Sequence, residues 1–111
     1  MLAGTYAVRI SGGAKVDRSL QMPPHLAGWA HAADMRRLPD GLALASRQFL
    51  ARTRTLHPES RAQLGNELAA QVAAFVAPAP PAGTHAEYFL AAVLAERRDR
   101  EYAHNLRTAE T

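Results

Sequence analysis

Large apolar residues recur along this chain at helical spacing and are cut into four groups by proline. Leu26, Trp29, Ala30 and Ala33 follow Met22-Pro23-Pro24 at helical spacing. Proline suits the first helical turn, so a short first helix is predicted over about 24–35. Leu38-Pro39-Asp40 ends it and starts another. Leu42, Ala45, Phe49 and Leu56 then line one face of a second helix over roughly 40–55, with Arg47, Arg52 and Arg54 mostly turned away. His57-Pro58-Glu59 opens a third helix whose face is Leu64, Leu68, Val72, Phe75 and Val76. Pro58 fits its first position and Glu59 complements the positive end of its dipole. Gly65 either weakens this helix by about 1 kcal/mol relative to Ala or marks close contact between helices.

Pro78, Pro80 and Pro81 stop the third helix, because proline lacks the N–H and clashes with the preceding turn. Gly83 allows the chain to reverse. Thr84-x-x-Glu87 has the spacing of a capping box, with the hydroxyl and the carboxylate each serving an orphan N–H. The fourth helix carries Phe89, Leu90, Val93 and Leu94 on one side, followed by an almost wholly charged run from Glu96 to Glu101. The Glu96/Arg100 and Arg97/Glu101 pairs, four apart, fit an exposed helix end, with fraying beyond about Leu106.

Residues 1–21 differ. Gly4 to Ile10 alternates weakly, then meets the flexible breaker Ser11-Gly12-Gly13. This reads as an irregular or weakly extended N-terminal stub and linker, because a lone strand has nothing to pair with. The organisation expected is therefore a stub over 1–21, a helical domain over 22–107 and a frayed tail over 108–111. The fold class is all-α, a small bundle of about four helices.

Composition changes this picture in two ways. The 111 residues suffice for one domain, and a chain this size buries roughly 65% of its unfolded surface. Twenty-four residues are Ala, which favours helices but contributes little core area. The core therefore rests on few large side chains, with Phe49, Phe75, Phe89 and Trp29 at its centre. Trp29 is read as a core anchor; the alternative is an exposed Trp used for binding.

Charge and chemistry then narrow the function classes. Twelve of the thirteen basic residues are Arg, and the net charge of +3 is too small to imply nucleic acid by itself. The absence of Cys excludes disulfides, thiolate metal sites and thiol nucleophiles. Residues 1–10 lack signal-peptide order, and the uncharged run from Leu68 to Thr84 is broken by Gln71 and three prolines. No two of His25, His31, His57, His85 and His104 have the spacing that puts two ligands on one helical face. His57 and His85 read as helix-start residues. Ser46, Ser60 and Thr84 lie at no triad or phosphate-loop spacing, and Gly12-Gly13 with Lys15 lacks the downstream Ser/Thr of such a loop. No catalytic residue, metal or cofactor is expected.

Two binding readings remain. Helices two and three, joined around Leu56-His57-Pro58, could act as a helix-turn-helix DNA-binding unit. Their recognition face would offer Glu59, Arg61, Gln63 and Asn66, with only one positive charge, so nucleic acid is a weak expectation. Attachment to an anionic membrane surface would instead draw on Arg36, Arg37, Arg47, Arg52 and Arg54.

Met22 to Ala30, Leu38-Pro39-Asp40, Arg47 to Leu50, His57 to Arg61, Pro80 to Thr84 and Phe89 to Arg98 together resemble the C-terminal tail of actinobacterial RDD-family membrane proteins. Leu2 to Arg9 resembles the closing segment of the RDD membrane domain itself. The resemblance covers nearly the whole chain, least at 11–21. It implies a cytoplasmic accessory domain at the inner membrane face, beside a multi-helix protein often linked with transport. The Arg and Asp residues that give that family its name have no counterpart in this chain. The implied partners are the RDD membrane domain or a second copy. The candidate interaction surface is Arg36, Arg37, Arg47, Arg52 and Arg54, together with Arg97, Arg98, Arg100 and Tyr102 at the end of the fourth helix. A rival expectation is a truncated gene product with no independent role.

Overall fold

A computed structural model describes residues 20–110. The expected stub over 1–21 thus lies almost wholly outside the described residues. Those residues form an all-α bundle: a 3-10 turn at Pro24–Leu26, α1 at Ala27–Ala32, α2 at Asp40–Ala51, a 3-10 turn at Thr53–Thr55, α3 at Pro58–Ala73 and α4 at Ala86–Glu110.

α4 is the central helix and touches each of the other three. Its stretch from Phe89 to Glu96 is buried on every side rather than along one stripe. The sequence FLAAVLA explains this, because a segment apolar all round can only sit inside. The main core gathers Phe49 and Leu50 from α2, Leu68 and Val72 from α3, and Phe89, Leu90, Val93 and Leu94 from α4. A smaller cluster packs Leu26, Ala30 and Ala92 together. Trp29 lies partly buried against both clusters, and its indole Nε1–H donates to the Pro78 carbonyl at 3.0 Å. It is therefore an anchor at the core margin, with its polar tip satisfied.

Three core expectations change. The buried face of α2 is Ala43, Ser46, Phe49 and Leu50, so Ala45 points to solvent and Leu42 is only half-buried. Phe75 is 38% exposed, because α3 ends at Ala73 and Phe75 falls in the turn beyond it. The first two helices are shorter than their periodicity suggested, each joined to a 3-10 turn.

Gly65 marks a close approach: a Cβ there would lie 3.1 Å from Cζ of Phe49. Gly83 has φ +84, the left-handed region that glycine enters without strain, and it turns the chain into α4. The loop after α1 is tied to the end of α3 by a single antiparallel bridge, Asp34 N–H to the Ala77 carbonyl at 2.7 Å and Ala77 N–H back to Asp34 at 3.0 Å.

The capping box at α4 does not form. Thr84 Oγ1 donates instead to the Pro81 carbonyl at 2.6 Å. His85 is the cap: its carbonyl accepts from Phe89 N–H at 2.9 Å and its Nδ1 accepts from Glu87 N–H at 3.1 Å. His57 serves α3 in the same way, accepting from Glu59 N–H at 3.3 Å. Glu87 is drawn off by a stronger partner, Arg61, through a bidentate pair at 2.7 and 2.8 Å. Nor does α4 end near Leu106; its helical backbone runs through Glu110.

Candidate interaction surface

Two groups of arginine differ in what they touch. Arg97, Arg98 and Arg100 of α4 are engaged within the bundle, whereas Arg107 further along that helix is exposed. Arg97 bonds Asp40 at the start of α2. Arg98 lies against Asp99 at 3.3 Å and the Leu20 carbonyl at 3.5 Å. Arg100 donates from Nε to Glu96 at 2.8 Å, and from Nη2 to the carbonyls of Ala30, His31 and Ala33 at 3.1, 3.2 and 2.7 Å.

Arg100 is thus a clasp. The last carbonyls of a helix have no intrahelical donor, and a guanidinium is well shaped to serve several at once. At six residues, α1 is far too short to be stable alone. Glu96, only 4% exposed, holds the clasp in place and also lies 3.2 Å from His31 Nδ1. The Glu96/Arg100 pair was expected on an exposed helix end. It is instead a structural joint, because α4 carries it under α1. Likewise Arg97 pairs with Asp40 across helices and not with Glu101 along its own.

The other group is Arg36, Arg37, Arg47, Arg52 and Arg54, all exposed. Arg36 folds back onto Asp34, with Nε–Oδ1 and Nη2–Oδ2 both 3.3 Å, and this holds the Asp34 carboxyl below the usual carboxylate range. The side chains of Arg37, Arg47, Arg52 and Arg54 have no hydrogen-bonding or ionic partner among the described residues. The segment from Arg36 to Arg54 holds five arginines against one acid, Asp40, and that acid is committed to Arg97.

Helical geometry arranges part of this group. With α2 buried along Ala43, Ser46, Phe49 and Leu50, its outer face is centred on Leu44, Gln48 and Ala51. At 3.6 residues per turn, Arg47 and Arg52 stand about 70° to either side of that centre. Leu44, which the sequence pattern did not single out, is 48% exposed between them. Tyr102 is also exposed, on the last turns of α4.

An open depression of about 500 Å³ lies where α3 and α4 begin, lined in part by Arg54, Leu56, Arg61, His85 and Glu87. Its strongest charges satisfy each other: the Arg61 guanidinium holds the Glu87 carboxyl below its ordinary value, against an opposing push from partial burial. His25 and His85 flank exposed Tyr88 with ring centroids 5.6 and 5.5 Å away. Among the described residues no group of three or more His, Asp or Glu is placed to hold a metal ion, and no helix is long and apolar enough to cross a membrane. A scan against protein-family models and searches of curated proteins and of solved structures found no match to this chain.

Proposed function

We propose that this chain is a non-catalytic helical interaction domain that docks beside an RDD-type membrane protein at the inner face of the membrane. The observation that carries the reading is the unequal use of arginine. Arg97 and Arg100 of α4 hold helices together, whereas Arg37, Arg47, Arg52 and Arg54 stand exposed with no partner among the described residues. A cluster of cations with no partner among the described residues favours an acidic or anionic partner. The resemblance of Pro80 to Thr84 and Phe89 to Arg98 to RDD-family tails supplies the kind of neighbour.

The helix-turn-helix reading fares less well on the same grounds. Arg61 is the only positive charge at the start of α3, and Glu87 pairs with it through its Nε and Nη2. With its charge offset by Glu87, the recognition face offers no uncompensated cation to the phosphate backbone.

The test is an antibody raised against residues 22–111, used on fractionated native cells after mild crosslinking. The reading expects the antigen in the membrane fraction, joined to a multi-helix membrane protein. Antigen confined to the soluble fraction overturns it, and retardation of duplex DNA at low salt would then favour the regulator.

A further inference from the structure

We infer that the outer face of α2 is a lipid-docking face. Leu44 enters an anionic phospholipid headgroup layer, and Arg47 and Arg52 pair with phosphates on either side. The inference deepens the docking reading above, and rests on it for the membrane setting, by naming what this surface touches.

Three features of the face fit a bilayer surface better than a protein groove or a nucleic acid. First, its centre is apolar and small, Leu44 and Ala51 with Gln48, and it projects between two cations. That is the order required of a helix lying flat in an interface, with the apolar side chain inward and guanidinium groups at headgroup level. Second, α2 is 12 residues long, about 18 Å, so the whole helix can lie flat against the headgroups. Third, cations outnumber acids around the face. Exposed Arg37 precedes α2, Arg54 follows it, and the one acid within the helix, Asp40, is engaged by Arg97. Arginine suits this task because its planar fork binds phosphate oxygens in pairs and is weakly hydrated. A nucleic-acid groove would use the cations but leave Leu44 stranded in a polar interface.

The test is co-sedimentation of the full chain with vesicles of phosphatidylglycerol and phosphatidylcholine, against vesicles of phosphatidylcholine alone. Binding to the anionic vesicles should be at least about tenfold stronger and should weaken with salt. The double variant Arg47→Glu/Arg52→Glu should lose about tenfold or more. Leu44→Ala should lose about threefold while keeping the salt dependence. Arg107→Gln, which removes an exposed charge on α4, should change binding by less than about twofold. All these positions are exposed, so urea midpoints should stay at the parent value and report that each variant is folded.

Equal binding to both vesicle types overturns the inference. So does parent-like binding by the double variant, or an equal loss at Arg107, which would indicate unlocalised attraction. Loss of vesicle binding with retention of the crosslinked membrane protein in cells would remove the lipid face alone. Vesicle binding without any membrane-protein neighbour in cells would remove the docking reading alone.

Discussion

Arg100 and Arg47 are the same residue type on two helices of one small bundle, and they have opposite fates. Arg100 sits against a buried carboxylate and three helix-end carbonyls, with 34% of its side chain in water. Arg47 stands on the outer face of α2 with no described partner. The difference comes from the helix beneath. α4 is apolar all round from Phe89 to Ala95 and is drawn into the centre, so Glu96, Arg97 and Arg100 just beyond are carried against other elements and are paired there. α2 buries only one face, so Arg47 on it and Arg52 at its C-cap remain in solvent. Charge placed at the end of a central helix becomes structure, and charge on the outside of a peripheral helix stays available for binding.

The comparison can be broken at either helix. The largest effect is expected at the inner face of α2: Phe49→Ala should cost about 3–5 kcal/mol in urea unfolding, while Leu44→Ala on the outer face should stay within about 0.5 kcal/mol. Next, Arg100→Gln leaves Glu96 buried without its cation and the end of α1 without its donor. Loss of one partner from a buried pair costs about 3–5 kcal/mol, and partial exposure of Arg100 brings the expectation down to about 2–3 kcal/mol. Arg100→Lys should recover only part, because one ammonium cannot span the carboxylate and the carbonyls together.

A smaller, pH-dependent effect follows from Glu87. Its folded-state pKa is lowered, chiefly by the hydrogen bonds from Arg61. A depressed carboxyl stabilises the fold above its unfolded value, about 4.3, and that contribution disappears as pH falls through the lower folded value. The stability gap between the parent and Glu87→Gln should therefore be present at pH 6 and close on acidification below pH 4. A gap independent of pH would show that the Arg61 pair contributes nothing. The smallest change should be a gain. Ser46 is fully buried with its Oγ unpartnered, so Ser46→Ala should stabilise by about 1 kcal/mol.

Much of the fold was legible because proline marks its joints. Pro24, Pro39, Pro58 and the Pro78–Pro81 run bracket four helices, and the apolar spacing named Leu68, Val72, Phe89 and Leu90 as core. Gly83 was legible as a reversal, and of the two readings open for Gly65 the structure shows the close contact, with Phe49. Periodicity failed where it could not fix phase: the Ala-rich α2 offers nearly equivalent stripes, and only Phe49 and Leu50 decide which is buried. Phe75 was misplaced because the helix that would have carried it inward stops first. The capping box failed because a motif cannot reveal a competitor, and Arg61 lies 26 residues away from Glu87. The candidate surface was legible as a set of arginines but not in its division, since which cations meet carbonyls is a property of helix packing. Leu44 was missed because an exposed leucine carries no signal until the buried face is known.

The most direct measurement is the urea midpoint of the double variant Arg47→Gln/Arg52→Gln beside the parent. Two arginines held for a partner should leave folding stability unchanged within about 0.5 kcal/mol, and that is the result this account expects. A loss of about 1 kcal/mol or more would contradict it, because those side chains would then be holding the bundle together as Arg100 does.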